Sequence, residues 1–501
     1  MKRLRELIDG LSYRLLQGEL GQEIAAIEYD SRRVGPQGLF VCIQGAHQDG
    51  HAFIPDAARR GAGAFLVERE LRPAGAVPVP GTILQVEETR RALAHVAARF
   101  YDYPARELRV IGATGTNGKT TVTYLAEAVL ESGGYRAGLI GTVEYRCGGI
   151  CREAERTTPE ASDLQALLRW MRERGAHAVA MEVSSHALAL HRVAGCAFDV
   201  AVFTNLTQDH LDFHRTMEAY FDAKAHLFTL LKEKGGTAVI NLDDPAGKRL
   251  RDMLEGPVVT YGLTPEADVT AAAATYDTHG VRAFVRTPWG TGELSSPLLG
   301  RHNLYNLLAA LGIGGALGIP VGPALEGLAA MRRIPGRLEP VESGQPFKVV
   351  VDYAHTPDAL ESVLRALREF CPGRLIVVFG CGGDRDRTKR PLMGEAGARG
   401  ADRVYLTSDN PRSESADAIL AEIAAGVRKV PGGAERTVVR VDRREAMTVA
   451  LQEARAGDLV LIAGKGHERV QIIGQQRIPF DDREVAREVL RELGYHGGPG
   501  E

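Results

Sequence analysis

Runs of apolar residues alternate with helix-like segments along most of this chain, and the alternation restarts twice. From about residue 107, strand-length apolar stretches break off into polar or glycine-rich residues. "LRVIGA" leads into a Gly-rich loop and then "KTTVTYLAEAVLESGG", a helix with a glycine stop; "HAVAMEVSS" and "FDVAVFTNL" repeat the apolar run with a polar end. Continuous apolar runs of this length mark strands covered on both faces, and intervening helices make the sheet parallel. Ligands of such sheets gather beyond the carboxyl ends of the strands. After the helical "NLYNLLAALGIGGAL" and the break near "RRIPGRLEP", four more strands follow: "KVVVDY", "RLIVVFGCGGD", "DRVYLTSDNPR" and "DLVLIAGKGHE", each ending in a polar loop. The first hundred residues differ. Short runs ("GLFVCI", "GAFLVE") alternate there with turn-rich pieces, before the helix "RRALAHVAARF". The pattern predicts three α/β units, at 1–104, 105–334 and 335–501, with no short-period repeat and no low-complexity tract beyond "AAAATY".

Length agrees, since 501 residues exceed what one core accommodates. A formal net charge of -3 argues against a polyanion partner, so no nucleic acid is expected. Charges interrupt the apolar positions of "MKRLRELIDGLSYRLL", and no apolar run nears the ~20 residues of a membrane span. Six cysteines are too few for a disulfide scaffold, and Cys147 and Cys151 lack the further ligands of a zinc site. A cytoplasmic protein with reduced thiols, without membrane insertion, is the expectation.

The candidate chemistry begins at "GATGTNGKTT", Gly112 to Thr121. Between a strand and a helix, such glycines let backbone N–H groups approach phosphate oxygens, and the helix N-terminus adds its positive end. Lys119 would reach the terminal phosphates and the Thr120 hydroxyl would coordinate Mg²⁺. The loop departs from the full phosphate-loop pattern, because Ala113 occupies the first glycine position. A guanine-nucleotide switch would need an N-K-x-D motif, and the chain has no Asn-Lys pair.

In order along the chain stand "GTNGKTT", "TTPE", "MEVSSHAL", "TNLTQDHLDFH", "AKAHLF", "GRHNLYNLLAA", "PGRLE" and "DYAHTPDAL". Together these resemble the Mur ligase family, ATP-dependent amide-forming enzymes of peptidoglycan precursor synthesis. "GCGGDRDRTKRPLM", "DNPR" and "AGKGHE" resemble the branch that adds meso-diaminopimelate to UDP-MurNAc-L-Ala-D-Glu. The resemblance implies a central P-loop ATPase-like parallel sheet, a C-terminal Rossmann-like domain for the incoming amino acid, and an acyl-phosphate intermediate. It implies a monomer with ATP as substrate and Mg²⁺ as cofactor. Phosphoryl transfer onto a carboxylate brings two anions together, which is why cations are needed.

Carried over residue by residue, the resemblance gives Lys119, Glu182, His210 and Lys224 the catalytic roles, with metal held by Thr120, Glu182, His210 and a carbamoylated Lys224. ATP would be held by Gly115, Thr116, Asn117, Gly118, Lys119, Thr120, Thr121, Asn303 and Asn306, and by Arg337, Asp352 and His355 from the third domain, whose closure would complete the site. Ser31, His47 and Gln48 resemble the UDP pocket; Thr157, Thr158, Ser184 and Arg192 resemble contacts to the muramoyl-dipeptide. Leu190 departs from some relatives, which place a polar Gln there, so the resemblance leaves that one substrate contact open.

"SDNPR" is, taken alone, an ordinary Asn-Pro turn. Diaminopimelate offers a second reading, because its distal end is a zwitterion: an Asp and an Arg on one turn present matching charges, and Arg takes a carboxylate bidentately. Arg385, Asp409, Asn410, Pro411, Arg412, Gly464 and Glu468 would form that pocket. A folylpolyglutamate synthetase shares the ATP loop but not "DNPR", "GDRDRTKRP" or the first-domain motifs. A non-catalytic nucleotide binder would lack Lys119, Glu182, His210 or Lys224, and all four are present.

Overall fold

The computed structural model describes residues 1–45, 48–69, 80–277 and 279–497. His47 lies outside the described residues. Three larger sheets follow one another along the chain. The first has five strands in the order Tyr13–Gln17, Thr82–Val86, Ala62–Val67, Gly38–Val41 and Ala26–Glu28, parallel except for the Tyr13–Gln17 edge. Helix Thr89–Phe100 packs its apolar side against it.

The central sheet has eight strands. Six run parallel in the order Ala137–Ile140, Ala178–Glu182, Arg109–Thr114, Val200–Phe203, Thr237–Asn241 and Val258–Tyr261; an antiparallel hairpin, Glu144–Cys147 with Ile150–Glu153, extends one edge. Separate apolar clusters cover its two faces, one built with helices Lys119–Ser132 and Arg301–Ala316, the other with Ala161–Glu173. That two-sided cover explains why Ala178–Glu182 and Val200–Phe203 are buried at every position. The third sheet orders Glu339–Pro340, Lys348–Asp352, Leu459–Ala463, Leu375–Phe379, Arg403–Leu406 and Thr437–Val439, parallel but for the first.

The low-complexity "AAAATY" is not a linker. It lies in strand Thr270–Asp277, which with Gly280–Thr287 and Gly290–Ser296 makes a small antiparallel sheet. Alanine has little strand preference of its own, so the signal was weak; its partner "GVRAFVRT" alternates buried and exposed residues as a half-covered strand should. None of the described helices is long and apolar enough to cross a membrane.

Candidate active site

The loop after strand Arg109–Thr114 opens onto helix Lys119–Ser132 at the carboxyl edge of the central sheet. Ala113 needs no glycine freedom, because it is the penultimate residue of that strand, in register with Glu182 and Val202. Gly115 and Gly118 do need it: their φ angles are +147° and +86°, and an added Cβ would lie 1.8 Å from Thr204 Oγ1 and 2.6 Å from Asn306 Oδ1. Lys119 curls back over the loop, its Nζ donating to the carbonyls of Gly115 at 2.9 Å and Thr116 at 2.8 Å.

Glu182 ends its strand and is almost wholly buried. Its Oε2 accepts from Thr120 Oγ1 at 3.0 Å and Thr142 Oγ1 at 3.1 Å, and Oε1 accepts from the Thr142 amide at 2.8 Å. Arg337, from the segment entering the third sheet, donates Nη2 to Thr120 Oγ1 at 2.9 Å. A cation from the segment entering the third sheet thus reaches the first turn of the helix that follows the phosphate loop. The space between them is a cleft of about 620 Å³ lined by residues 116–121, Glu182, His210, Lys224, Asn303, Asn306, Arg337, Asp352 and His355. Nearly the whole expected ATP set thus faces one cavity.

Within that set, Asn306 Nδ2 donates to Asn303 Oδ1 at 3.0 Å, so the two amides meet on one helix face as their spacing predicts. Asp352 accepts from the amides of Leu338 and Ala354, both at 2.8 Å, which ties the Arg337 segment to a strand end. His210 has a left-handed backbone, with φ of 53°, and sits 3.3 Å from Asp209 Oδ2; burial lowers its pKa despite that carboxylate.

Lys224 lies on helix Met217–Ala225 and is 1% exposed. Its Nζ donates to Gly115 O at 2.7 Å and stands 4.3 Å from the centre of the Tyr220 ring. Burial, with Lys119 adding repulsion, holds the Lys224 pKa well below the ordinary lysine value. Tyr220, Thr142, Asp209 and Tyr353 also line the cleft and were missed in the sequence. Tyr220 and Thr142 carry no charge and sit inside otherwise helical or turn-like segments, so nothing in the pattern marked them.

Mg²⁺ asks for oxygen donors, and Thr120 with Glu182 supplies a converging hydroxyl and carboxylate that fit it. Among the described residues no group of three or more His, Cys, Asp or Glu side chains forms a metal cluster, so nucleotide phosphates would have to complete the shell.

The expected uridine-nucleotide residues divide. Thr157 joins the cleft through Thr142, their hydroxyls 3.0 Å apart. Thr158 Oγ1 donates to Glu182 O at 2.9 Å and accepts from the Ser184 amide at 3.1 Å, and Ser184 caps the short helix Ser185–Ala189. Arg192 Nη2 pairs with buried Glu160 at 2.9 Å, and Nη1 donates to Thr158 O at 3.1 Å. Arg90 and Arg156 face the same carboxylate at 3.2 and 3.5 Å, leaving an excess of positive charge there. Ser31 is buried in the first sheet's unit and Gln48 is exposed; neither touches the cleft.

The "DNPR" turn follows strand Arg403–Leu406 and is stitched to the strand Val470–Ile473: Gln471 Nε2 donates to Asp409 O at 2.7 Å, Ile472 N to Asn410 Oδ1 at 2.9 Å, and Arg412 N to Ile472 O at 3.0 Å. Asp409 is 7% exposed, and its carboxylate accepts no hydrogen bond among the described residues. Gly464 keeps space open beside it: an added Cβ would lie 2.8 Å from Asp409 Oδ2, at a φ of +109°. Across the turn, Arg412 Nη1 donates to Gly383 O at 2.7 Å, and both Arg412 and Arg385 border Gly382. Pro411 packs its carbonyl against Gly383. A carboxylate without a donor, its oxygens reached by solvent, and two guanidiniums with spare donors thus line one loop cluster.

Family models match three stretches: the Mur ligase family catalytic domain at 23–101, the Mur ligase middle domain at 113–314, and the Mur ligase glutamate ligase domain at 336–466. The chain is 47% identical to the UDP-N-acetylmuramoyl-L-alanyl-D-glutamate–2,6-diaminopimelate ligase of Geobacter metallireducens, over 99% of each chain. It is 48% identical to the ligase of the same name from Syntrophomonas wolfei, over 98% of this chain and 99% of that one. A solved structure described by that name superposes with a TM-score of 0.69 at 34% identity, covering 98% of this chain and 99% of the other. With every segment of the cleft lying inside these matched stretches, the chain belongs to the Mur ligase family.

Proposed function

We propose that this protein is an ATP-dependent ligase joining meso-diaminopimelate to UDP-MurNAc-L-Ala-D-Glu, with release of ADP and phosphate. The observation that carries the choice of amino acid is the "DNPR" turn, where buried Asp409 lacks a donor and Arg412 keeps free guanidinium protons. Relatives bearing that enzyme's name are 44–49% identical to this chain. The three sheets correspond to three domains, 1–104, 105–334 and 335–501, that take the uridine nucleotide, ATP and the amino acid respectively.

Chemically, a carboxylate becomes open to an amine only when one of its oxygens is made a leaving group. Phosphoryl transfer from ATP makes the acyl phosphate; the amine then adds, and phosphate departs from the tetrahedral intermediate. Lys119, held on the loop carbonyls, and Arg337, held on Thr120, would neutralise charge on the transferred phosphoryl group. Thr120 and Glu182 would hold Mg²⁺, joined by His210 and a modified Lys224; the ion supplies charge neutralisation between nucleotide and carboxylate. Thr157, Thr158, Ser184 and Arg192 would orient the dipeptide carboxylate that is to be activated. Asn303 and Asn306 would receive the adenine.

The direct test measures ADP release by the purified protein with UDP-MurNAc-L-Ala-D-Glu, ATP and Mg²⁺. Release beyond one equivalent per enzyme, the amount that forming the acyl phosphate alone can give, should depend on added diaminopimelate; sustained turnover without any amino acid acceptor would overturn the assignment. Glu182→Gln should keep the fold, since the amide carbonyl can still accept from Thr120 or Thr142. Its turnover should nevertheless drop about 10²-fold and its Mg²⁺ requirement rise. An unchanged Mg²⁺ titration would remove Glu182 from the metal site. Gly464→Ala should abolish diaminopimelate use while leaving the KM for ATP within about twofold, because the new methyl group would crowd Asp409 Oδ2.

A further inference from the structure

Lys465, just beyond strand Leu459–Ala463, is fully buried and makes three hydrogen bonds. Its ammonium donates to Val470 O at 2.7 Å, Glu468 Oε2 at 2.9 Å and Asn410 Oδ1 at 3.2 Å. An ammonium has three protons, so all of them are engaged, and Lys465 can act on a ligand only through these partners. Asn410 is held on both sides: Oδ1 also accepts from the Ile472 amide, and one Nδ2 proton goes to Glu468 Oε2 at 2.8 Å, while the other makes no hydrogen bond among the described residues. The amide is therefore locked, one oxygen of Glu468 is held by two donors, and Oε1 accepts no hydrogen bond among the described residues.

The charges around this knot are informative. Arg443, buried beneath the same strand ends, is cancelled by Asp482 at 2.7 Å. Glu468 is cancelled by Lys465. Asp409 alone keeps a carboxylate that accepts no hydrogen bond among the described residues, its oxygens open to solvent across the loop cluster from Arg412 and Arg385. One uncompensated carboxylate can match one ligand ammonium, and the guanidiniums match a ligand carboxylate. The Glu468 side chain is 29% exposed, so loss of the buried Lys465 cation would leave a second unpaired anion at the loop cluster, one that solvent partly screens.

We propose that Lys465 is a positioning residue that sets amino-acid specificity: by cancelling Glu468 and locking Asn410 it tunes the pocket to a zwitterionic distal end rather than a purely cationic one. The proposal rests on the diaminopimelate reading above. Without Lys465, freed Glu468 charge would favour a distal ammonium that carries no carboxylate, which L-lysine provides.

The test compares kcat/KM for meso-diaminopimelate and for L-lysine in full-length wild type, Lys465→Met, Glu468→Gln and the double variant. The diaminopimelate-to-lysine ratio should fall about tenfold or more in Lys465→Met, chiefly through KM for diaminopimelate. It should rise in Glu468→Gln, where the cation is unbalanced, and return toward wild type in the double variant. Equal loss with both amino acids in Lys465→Met, without recovery in the double variant, would make Lys465 a structural brace only and overturn the proposal. If Lys465→Met fails to fold, Glu468→Gln decides alone: an unchanged or lowered ratio overturns it. Wild type that uses both amino acids equally well would instead sink the diaminopimelate reading, and this proposal with it.

Discussion

Replacing Lys224 by Ala is expected to lower turnover by about 10²–10³-fold, the loss typical of removing a charged group from a phosphoryl- or acyl-transfer centre. Stripping CO₂ and bicarbonate from the wild-type protein should have an effect of the same direction, reversed by adding bicarbonate back. The reason is the state of the Lys224 amine. A free lysine near pKa 10.4 is neutral in about one molecule in 2,500 at pH 7. Burial and the neighbouring Lys119 push the pKa of Lys224 well below that, against the opposing pull of Asp209, so its neutral fraction is larger. A neutral amine adds to CO₂, forming an N–C bond and releasing a proton, and the side chain passes from cation to anion. That product suits the site better than the ammonium does. It would end the repulsion from Lys119 and give Mg²⁺ an oxygen donor beside Thr120 and Glu182. Isotope-labelled bicarbonate should give a carbamate carbon signal that is absent from Lys224→Ala. Full activity in rigorously CO₂-free buffer, or a bare nitrogen in a well-ordered Mg²⁺-bound crystal, would refute the modification.

The parts of this molecule that were legible beforehand share a physical cause. Strands such as Ala178–Glu182 and Leu375–Phe379 are buried on both faces, so their apolar runs are continuous, and each stops where the carboxyl edge meets solvent or ligand. Glu182 and the "DNPR" turn were therefore readable as strand-end chemistry. Thr142 and Tyr220 were not, since a hydroxyl that becomes important by facing Glu182 or Lys224 has no sequence signature. The antiparallel sheet beginning at Thr270 was hidden by its alanines. The fixed orientation of Asn410 was hidden too. An asparagine in a turn reads as a candidate ligand contact, and here Lys465, Glu468 and Ile472 fix the orientation of its amide and leave one Nδ2 proton without a partner among the described residues.

Arg412→Ala is expected to collapse activity with diaminopimelate while ATP binding stays nearly intact, since Arg412 is absent from the nucleotide cleft. The guanidinium is held in place by one bond to Gly383 O and by a left-handed backbone, φ 51°, that the Val470–Ile473 strand stabilises through Ile472 O. It is thus aimed before any ligand arrives, so little ordering is left to be done on binding. L-Lysine carries the distal ammonium for Asp409 but no distal carboxylate. Binding it would leave Arg412 partly desolvated without an anion, a loss typically of several kcal/mol. Sites that grip a polar group reject analogues lacking it by about 10⁴ or more, and wild type should discriminate on that scale. In Arg412→Ala the discrimination should shrink because the better substrate loses its partner, not because lysine gains one. Competition measurements with both amino acids separate those outcomes. Comparable use of L-lysine and diaminopimelate by the wild-type protein would return "SDNPR" to an ordinary turn.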